Sequence, residues 1–234
     1  MDLDQPDTWP PTLDRIEQVF FVGDARPRFA ETSGALAAAA RRAGARRLVK
    51  LSAFGADFAP EFLIAGSHRA LDQAIEASGI AWTHLRPNVW MQNLVKYDHE
   101  PIRREGRFQL IQGGRQGELH RPAERLTVLT RPGHEAKVYT LTGPQALTYA
   151  DAARLLSQAT GGRIIHVPLT EEEAPPARPC GRGPGIPGEG PRTMDAFGCS
   201  GRFARVTPDL ERLAEPKPII FERFARDHAK AYQP

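Results

Sequence analysis

The chain is poor in cysteine, in charge imbalance and in long apolar runs, and each shortage removes a class of protein. Only Cys180 and Cys199 occur. They are far apart and in no C-x-x-C pattern, so neither a disulfide scaffold nor a zinc knuckle is indicated. The 31 basic residues nearly balance 28 acidic ones, leaving a formal charge of +3. The pI near 9.1 therefore rests on scattered residues. Its densest basic group, Arg41, Arg42, Arg46 and Arg47, flanks a predicted helix end, where cations complement the dipole. No recognised module accompanies this charge, which argues against specific nucleic-acid binding. No apolar run approaches bilayer-spanning length, and the opening MDLDQPDTW is acidic and has no signal-peptide core. The expected setting is the cytoplasm, without a membrane partner.

Two catalytic signatures are also missing. None of Tyr97, Tyr139, Tyr149 or Tyr232 has a lysine four residues on, which excludes a tyrosine general acid with a lysine helper. One G-x-G-x-x-G occurs, at Gly183, Gly185 and Gly188. Pro184 and Pro187 remove backbone donors there and no strand precedes, so it is no phosphate cradle.

What is present is the alternation of an α/β protein. A hydrophobic content of 41% and a charged content of 25% are normal for a globular chain. QVFFV (18–22) reads as a buried parallel strand broken by Gly23 and Asp24. The alanine-rich stretch 29–43 reads as a helix stopped by Gly44. A strand over 47–51 completes one βαβ unit. The pattern repeats with a helix over 67–77, capped by Ser67, and a strand over 81–85, and a further helix over 89–96 follows Pro87. Later come a strand over 137–141, a helix from Thr148 to about Ala159 closed by Gly161 and Gly162, a strand over 163–168, and an amphipathic helix over 218–231. This spacing predicts a parallel sheet covered by helices. Residues 113–124 and 174–192 break the order, the second being so rich in Pro and Gly that neither helix nor ladder can form.

Several residues could carry chemistry. Ser52 ends a predicted central strand, where open α/β sheets place their ligands; it either bonds a ligand or caps the strand end. His68 and Asp72, four apart, share one helix face. They form either a charge-assisted pair that poises a proton donor or an ordinary surface pair. The other histidines, His84, His99, His120, His134, His166 and His228, have no metal-ligand spacing, so no metal is expected. Arg86, Pro87, Asn88, Met91 and Asn93 follow a strand end. They suit either a loop against a flat, partly apolar ligand or a helix start with Asn88 as cap and Met91 in the core.

The stretches AAAARRAGARRLVKLSAFGA, SHRALDQAIEASGIAWTHLRPNVWMQN and VLTRPGHEAKVYTLTGPQALTYADAARLLSQATGGRIIHVPLTEEE, with GRFARVTPDLERL and FERFARDHA, resemble the NmrA-like group of atypical short-chain dehydrogenase/reductases. That group includes NADPH-dependent quinone oxidoreductases and triphenylmethane reductase. The resemblance implies an α/β fold: a truncated Rossmann-like parallel sheet, lacking its first three strands, with a small α/β C-terminal substrate lobe. It implies a partial NAD(P)-binding domain over 1–112 and a substrate lobe over 113–234. It implies NADP or NAD as cofactor, beside Asp2, Val22, Gly23, Ser52, Ala53 and Phe54. It implies a quinone-like or small aromatic substrate beside Pro87, Asn88 and Met91, with His68 in the place of the usual catalytic lysine. Where the order breaks, the resemblance breaks too, as compensating frameshifts would produce. The expected activity is reduction of quinones or similar flat electrophiles, lost if the glycine-rich part is truly absent. The alternatives are a redox-sensing regulator that binds dinucleotide without turnover and contacts a protein partner, or a gene remnant.

Overall fold

In the computed structural model, residues 2–23, 29–111, 116–117, 128–169, 204–214 and 217–233 are described. In chain order, the described elements are α1 (Trp9–Leu13), β1 (Gln18–Val22), α2 (Phe29–Arg42), β2 (Arg47–Leu51), α3 (Leu63–Ala77), β3 (Ala81–Pro87), α4 (Gln92–Tyr97), α5 (His99–Glu105), β4 (Arg107–Ile111), β5 (Gln116–Gly117), β6 (Lys137–Leu141), β7 (Ala146–Leu147), α6 (Tyr149–Thr160), β8 (Ile165–Leu169), α7 (Asp209–Leu213) and α8 (Phe221–Asp227). They fall into two compact units, and the chain passes between them more than once.

The first unit holds the parallel sheet that the apolar runs predict, with strand order β1-β2-β3-β6. The alanine-rich helix α2 buries Ser33, Leu36, Ala37 and Ala40, the spacing of one helical face. Gly44, with φ +97°, follows its end, a conformation cheap only for glycine. A Cβ on Gly34 would lie 3.2 Å from the Cβ of Ala74, so glycine lets α2 approach α3 closely. Phe21, Phe29, Leu36, Leu48, Leu71, Ile75 and Ile80 form the core of this unit.

The helix α3 begins at Leu63, not at Ser67, and its N-cap is Phe62 without a side-chain cap bond. Ser67 is no cap; the amide of Gly66 already donates to the Phe62 carbonyl at 2.8 Å. The four earlier residues extend the helix, and Ala65 is buried two turns before Asp72 on the same face.

In the second unit, β4 and β8 pair in parallel. Thr148 caps α6 with a full capping box: its hydroxyl accepts the Asp151 amide at 3.0 Å, and the Asp151 carboxylate accepts the Thr148 amide at 3.0 Å. Gly161, at φ +75°, closes it. The helix expected after Pro87 is shorter and starts at Gln92. The C-terminal segment is also not one helix: α8 stops at Asp227, where His228 leaves helical dihedrals (φ −112°, ψ 10°), and a single 3-10 turn, Ala229–Tyr232, follows. Phe221, Phe224 and Tyr232 still bury against Leu156 and Phe108 in one cluster. The irregular stretches 113–124 and 174–192 lie outside the described residues, apart from the short strand Gln116–Gly117, which pairs with β7. Among the described residues, no helix is long and apolar enough to cross a membrane.

Candidate active site

A lysine stands in the middle of an apolar strand. Strand period two places Lys50 and Ser52 on one face of the sheet, and the parallel register sets Lys50 beside His84. His84 and Arg86, also two apart, continue that face on β3. All four side chains are buried, as is Asp72 on the overlying helix α3. A buried charge survives only where partners satisfy it, and Asp72 is the common partner. Its Oδ1 accepts from Lys50 Nζ at 2.8 Å, and its Oδ2 accepts from Ser52 Oγ at 3.0 Å and from Arg86 Nη2 at 3.0 Å. Arg86 turns its other nitrogen to the half-exposed Asp57 at 3.1 Å.

The electrostatics follow from this crowding. Burial alone would raise the pKa of Asp72, but Lys50, His84 and Arg86 outweigh it and hold the carboxyl below its usual range. Burial dominates at Lys50, and Asp72 offsets it only in part, so the ammonium loses its proton more easily than an exposed lysine. His84 is pushed down to about 4, chiefly by burial. Its ring stacks on Trp82, with Nδ1 3.6 Å from Asp72 Oδ1 and Nε2 3.3 Å from Glu76 Oε1.

His68 joins the cluster through Lys50. Its Nδ1 lies 3.1 Å from Lys50 Nζ, and its backbone carbonyl 3.5 Å from the same atom. His68 and Asp72 do share a helix face, as their spacing predicts, but each turns toward Lys50. His68, Lys50, Asp72 and Ser52 thus form one polar chain across the carboxyl half of β2. Past the strand, the Ser52 amide donates to the Leu85 carbonyl at 2.7 Å and the Phe54 amide to that of Pro87 at 3.0 Å, which ties this segment to the end of β3.

Residues 1–110 match a family described as NAD(P)H-binding. Over 238 aligned residues the chain is 32% identical to an NAD(P)H azoreductase from Xenophilus azovorans, covering 99% of this chain and 82% of that protein. The chain belongs to the NmrA-like atypical short-chain dehydrogenase/reductases. The structure of this NmrA-like protein agrees with solved relatives in fold. It superposes on the Citrobacter sp. triphenylmethane reductase complexed with NADP(H) with a TM-score of 0.77 at 21% identity, covering 98% of this chain and 82% of that one. It superposes on the quinone oxidoreductase QOR2 of Escherichia coli, complexed with NADPH, with a TM-score of 0.81 at 20% identity, covering 97% and 81%.

In this NmrA-like chain the residues expected at the cofactor are placed as follows. The Asp2 carboxylate is exposed and folds back on its own turn, accepting the Asp4 amide at 3.0 Å and the Gln5 side chain at 2.9 Å. Val22, at the end of β1, is 55% exposed. Gly23 follows it in a tight spot, where a Cβ would come within 2.8 Å of both Leu71 and Phe29. Ala53 is half-buried between Ser52 and Phe54, and the Phe54 ring is buried edge-on to Phe58.

The residues expected at the substrate are buried. Pro87 ends β3, and Asn88 accepts the Val89 amide through Oδ1 at 2.9 Å. Asn88 caps no helix; the residue preceding α4 is Met91. Met91 is fully buried in the core of the second unit, as the core alternative for that residue anticipates. Sequence reasoning missed Lys50 and passed over His84 as a core or solvated histidine. The signal for Lys50 was available: a lysine inside LVKLS must either spoil the strand or find a buried partner.

Proposed function

We propose that this chain is an NAD(P)H-dependent reductase of flat, conjugated electrophiles such as azo compounds and quinones. The observation that carries the reading is the polar chain His68–Lys50–Asp72–Ser52 at the carboxyl end of a central parallel strand, the edge where such sheets hold their ligands. The azoreductase similarity over nearly the whole chain supports the same chemistry.

The residues at that edge suit the nicotinamide end of a dinucleotide. Ser52 offers a fixed hydroxyl, and Val22 supplies apolar surface. Bound NAD(P)H supplies hydride, and the protein supplies orientation and a proton. Asp72 fixes Ser52, and His68, the half-buried member of the cluster, is the candidate proton donor.

The test is loss of nicotinamide absorbance when the chain is mixed with NADPH or NADH and an azo dye or a quinone. Turnover with either acceptor supports the reading. Cofactor-induced thermal stabilisation without turnover would instead favour a redox-sensing regulator. Neither binding nor turnover would overturn both.

A further inference from the structure

Lys50 is the member of the polar chain that touches both the Asp72 carboxylate and the His68 ring. We propose that Lys50 is a buried proton reservoir for His68, which relays the proton to the acceptor once hydride has arrived. The proposal rests on the reductase reading and deepens it.

The geometry sets the direction of transfer. A lysine ammonium is a donor only, so at 3.1 Å from His68 Nδ1 it makes that nitrogen the acceptor and leaves the ring proton on Nε2. Asp72 at 2.8 Å keeps Lys50 charged at rest. The groups facing Lys50 are Asp72 and His68 from α3, and His84 and Arg86 from β3. Among them, His68 is half-buried, while Lys50, His84 and Asp72 have no exposure.

The step balances. Hydride breaks the acceptor π bond and leaves an anion. That anion takes the proton of His68 Nε2; as this N–H bond breaks, a new one forms at Nδ1 with a proton from Lys50. Lys50 is left as a neutral amine, a state its burial favours, and is recharged from solvent through the same ring after product leaves.

Two measurements test this. Lys50→Arg keeps the charge and the Asp72 pairing but cannot release a proton. Its kcat should fall about 10²-fold, the usual scale for losing a positioned acid, with an unchanged KM for NAD(P)H. The wild-type fall in kcat at alkaline pH should vanish in this variant. Independently of turnover, ring-nitrogen chemical shifts should show His68 as the Nε2–H tautomer in the wild type and lose that preference in Lys50→Met. A Lys50→Arg enzyme with wild-type kcat and alkaline fall, or an Nδ1–H ring in the wild type, overturns the relay alone. A wild-type chain that oxidises NAD(P)H with neither an azo dye nor a quinone overturns the reductase reading and the relay with it.

Discussion

Lys50 and Asp72 form a 2.8 Å ion pair in which neither side chain has any solvent exposure. Removing one partner of such a pair strands the other charge, whereas replacing both can be nearly neutral. Asp72→Asn should therefore lose about 3–5 kcal/mol in urea denaturation. The double variant Asp72→Asn with Lys50→Met should lose less than Asp72→Asn alone. Additive losses in the double-mutant cycle would show that the pair is not the source of the effect.

Acid should destabilise the fold through His84. Its folded pKa of about 4 lies below the ordinary 6.5, so between those values the unfolded chain binds the extra proton and stability falls as pH falls. The full effect is about 3 kcal/mol, realised by the time pH reaches the folded value. Asp72, whose pKa is also lowered, loses stabilisation in the same direction at still lower pH. Unfolding free energies measured across this window should slope downward toward acid, and His84→Leu should flatten the slope. A variant with the wild-type slope would place the titration elsewhere.

The fold was legible because its signals are local and repeat. Apolar runs marked β1, β2, β3 and β6, and Thr148 with Gly161 bounded α6 to within a residue. The candidate site was legible only in part. Ser52, His68 and Asp72 could be named from strand-end position and helix spacing. Their connection could not, because it runs through Lys50 and Arg86, whose burial depends on the parallel register of β2 with β3. The start of α3 misled because Ser67 is a residue type common at caps, whereas the helix already runs through it from Leu63.

Gly66 gives a test of how tightly that helix start is held. A Cβ there would run into the carbonyl oxygen of Pro60, a backbone atom that cannot swing aside. Alanine gains about 1 kcal/mol of helix propensity over glycine, yet overpacking of this kind costs about 1–3 kcal/mol. The clash should win, so Gly66→Ala should melt lower than the wild type and, by shifting the turn that carries His68, reduce turnover. A variant that melts higher would mean that the loop before α3 yields freely.

Ser52 should act on the cofactor as an acceptor. Its hydroxyl proton is committed to Asp72 Oδ2 at 3.0 Å, so what remains for a ligand is its lone pairs. The matching donor on a nicotinamide is the carboxamide N–H. Ser52→Ala should therefore weaken NADPH binding by about tenfold, the equivalent of one hydrogen bond near 1.4 kcal/mol. The same variant should bind the acetylpyridine analogue, which has no N–H at that position, as well as the wild type does. Titration calorimetry with both dinucleotides separates the cases, since equal losses for the two would mean that Ser52 works through Asp72 and the protein core rather than on the cofactor.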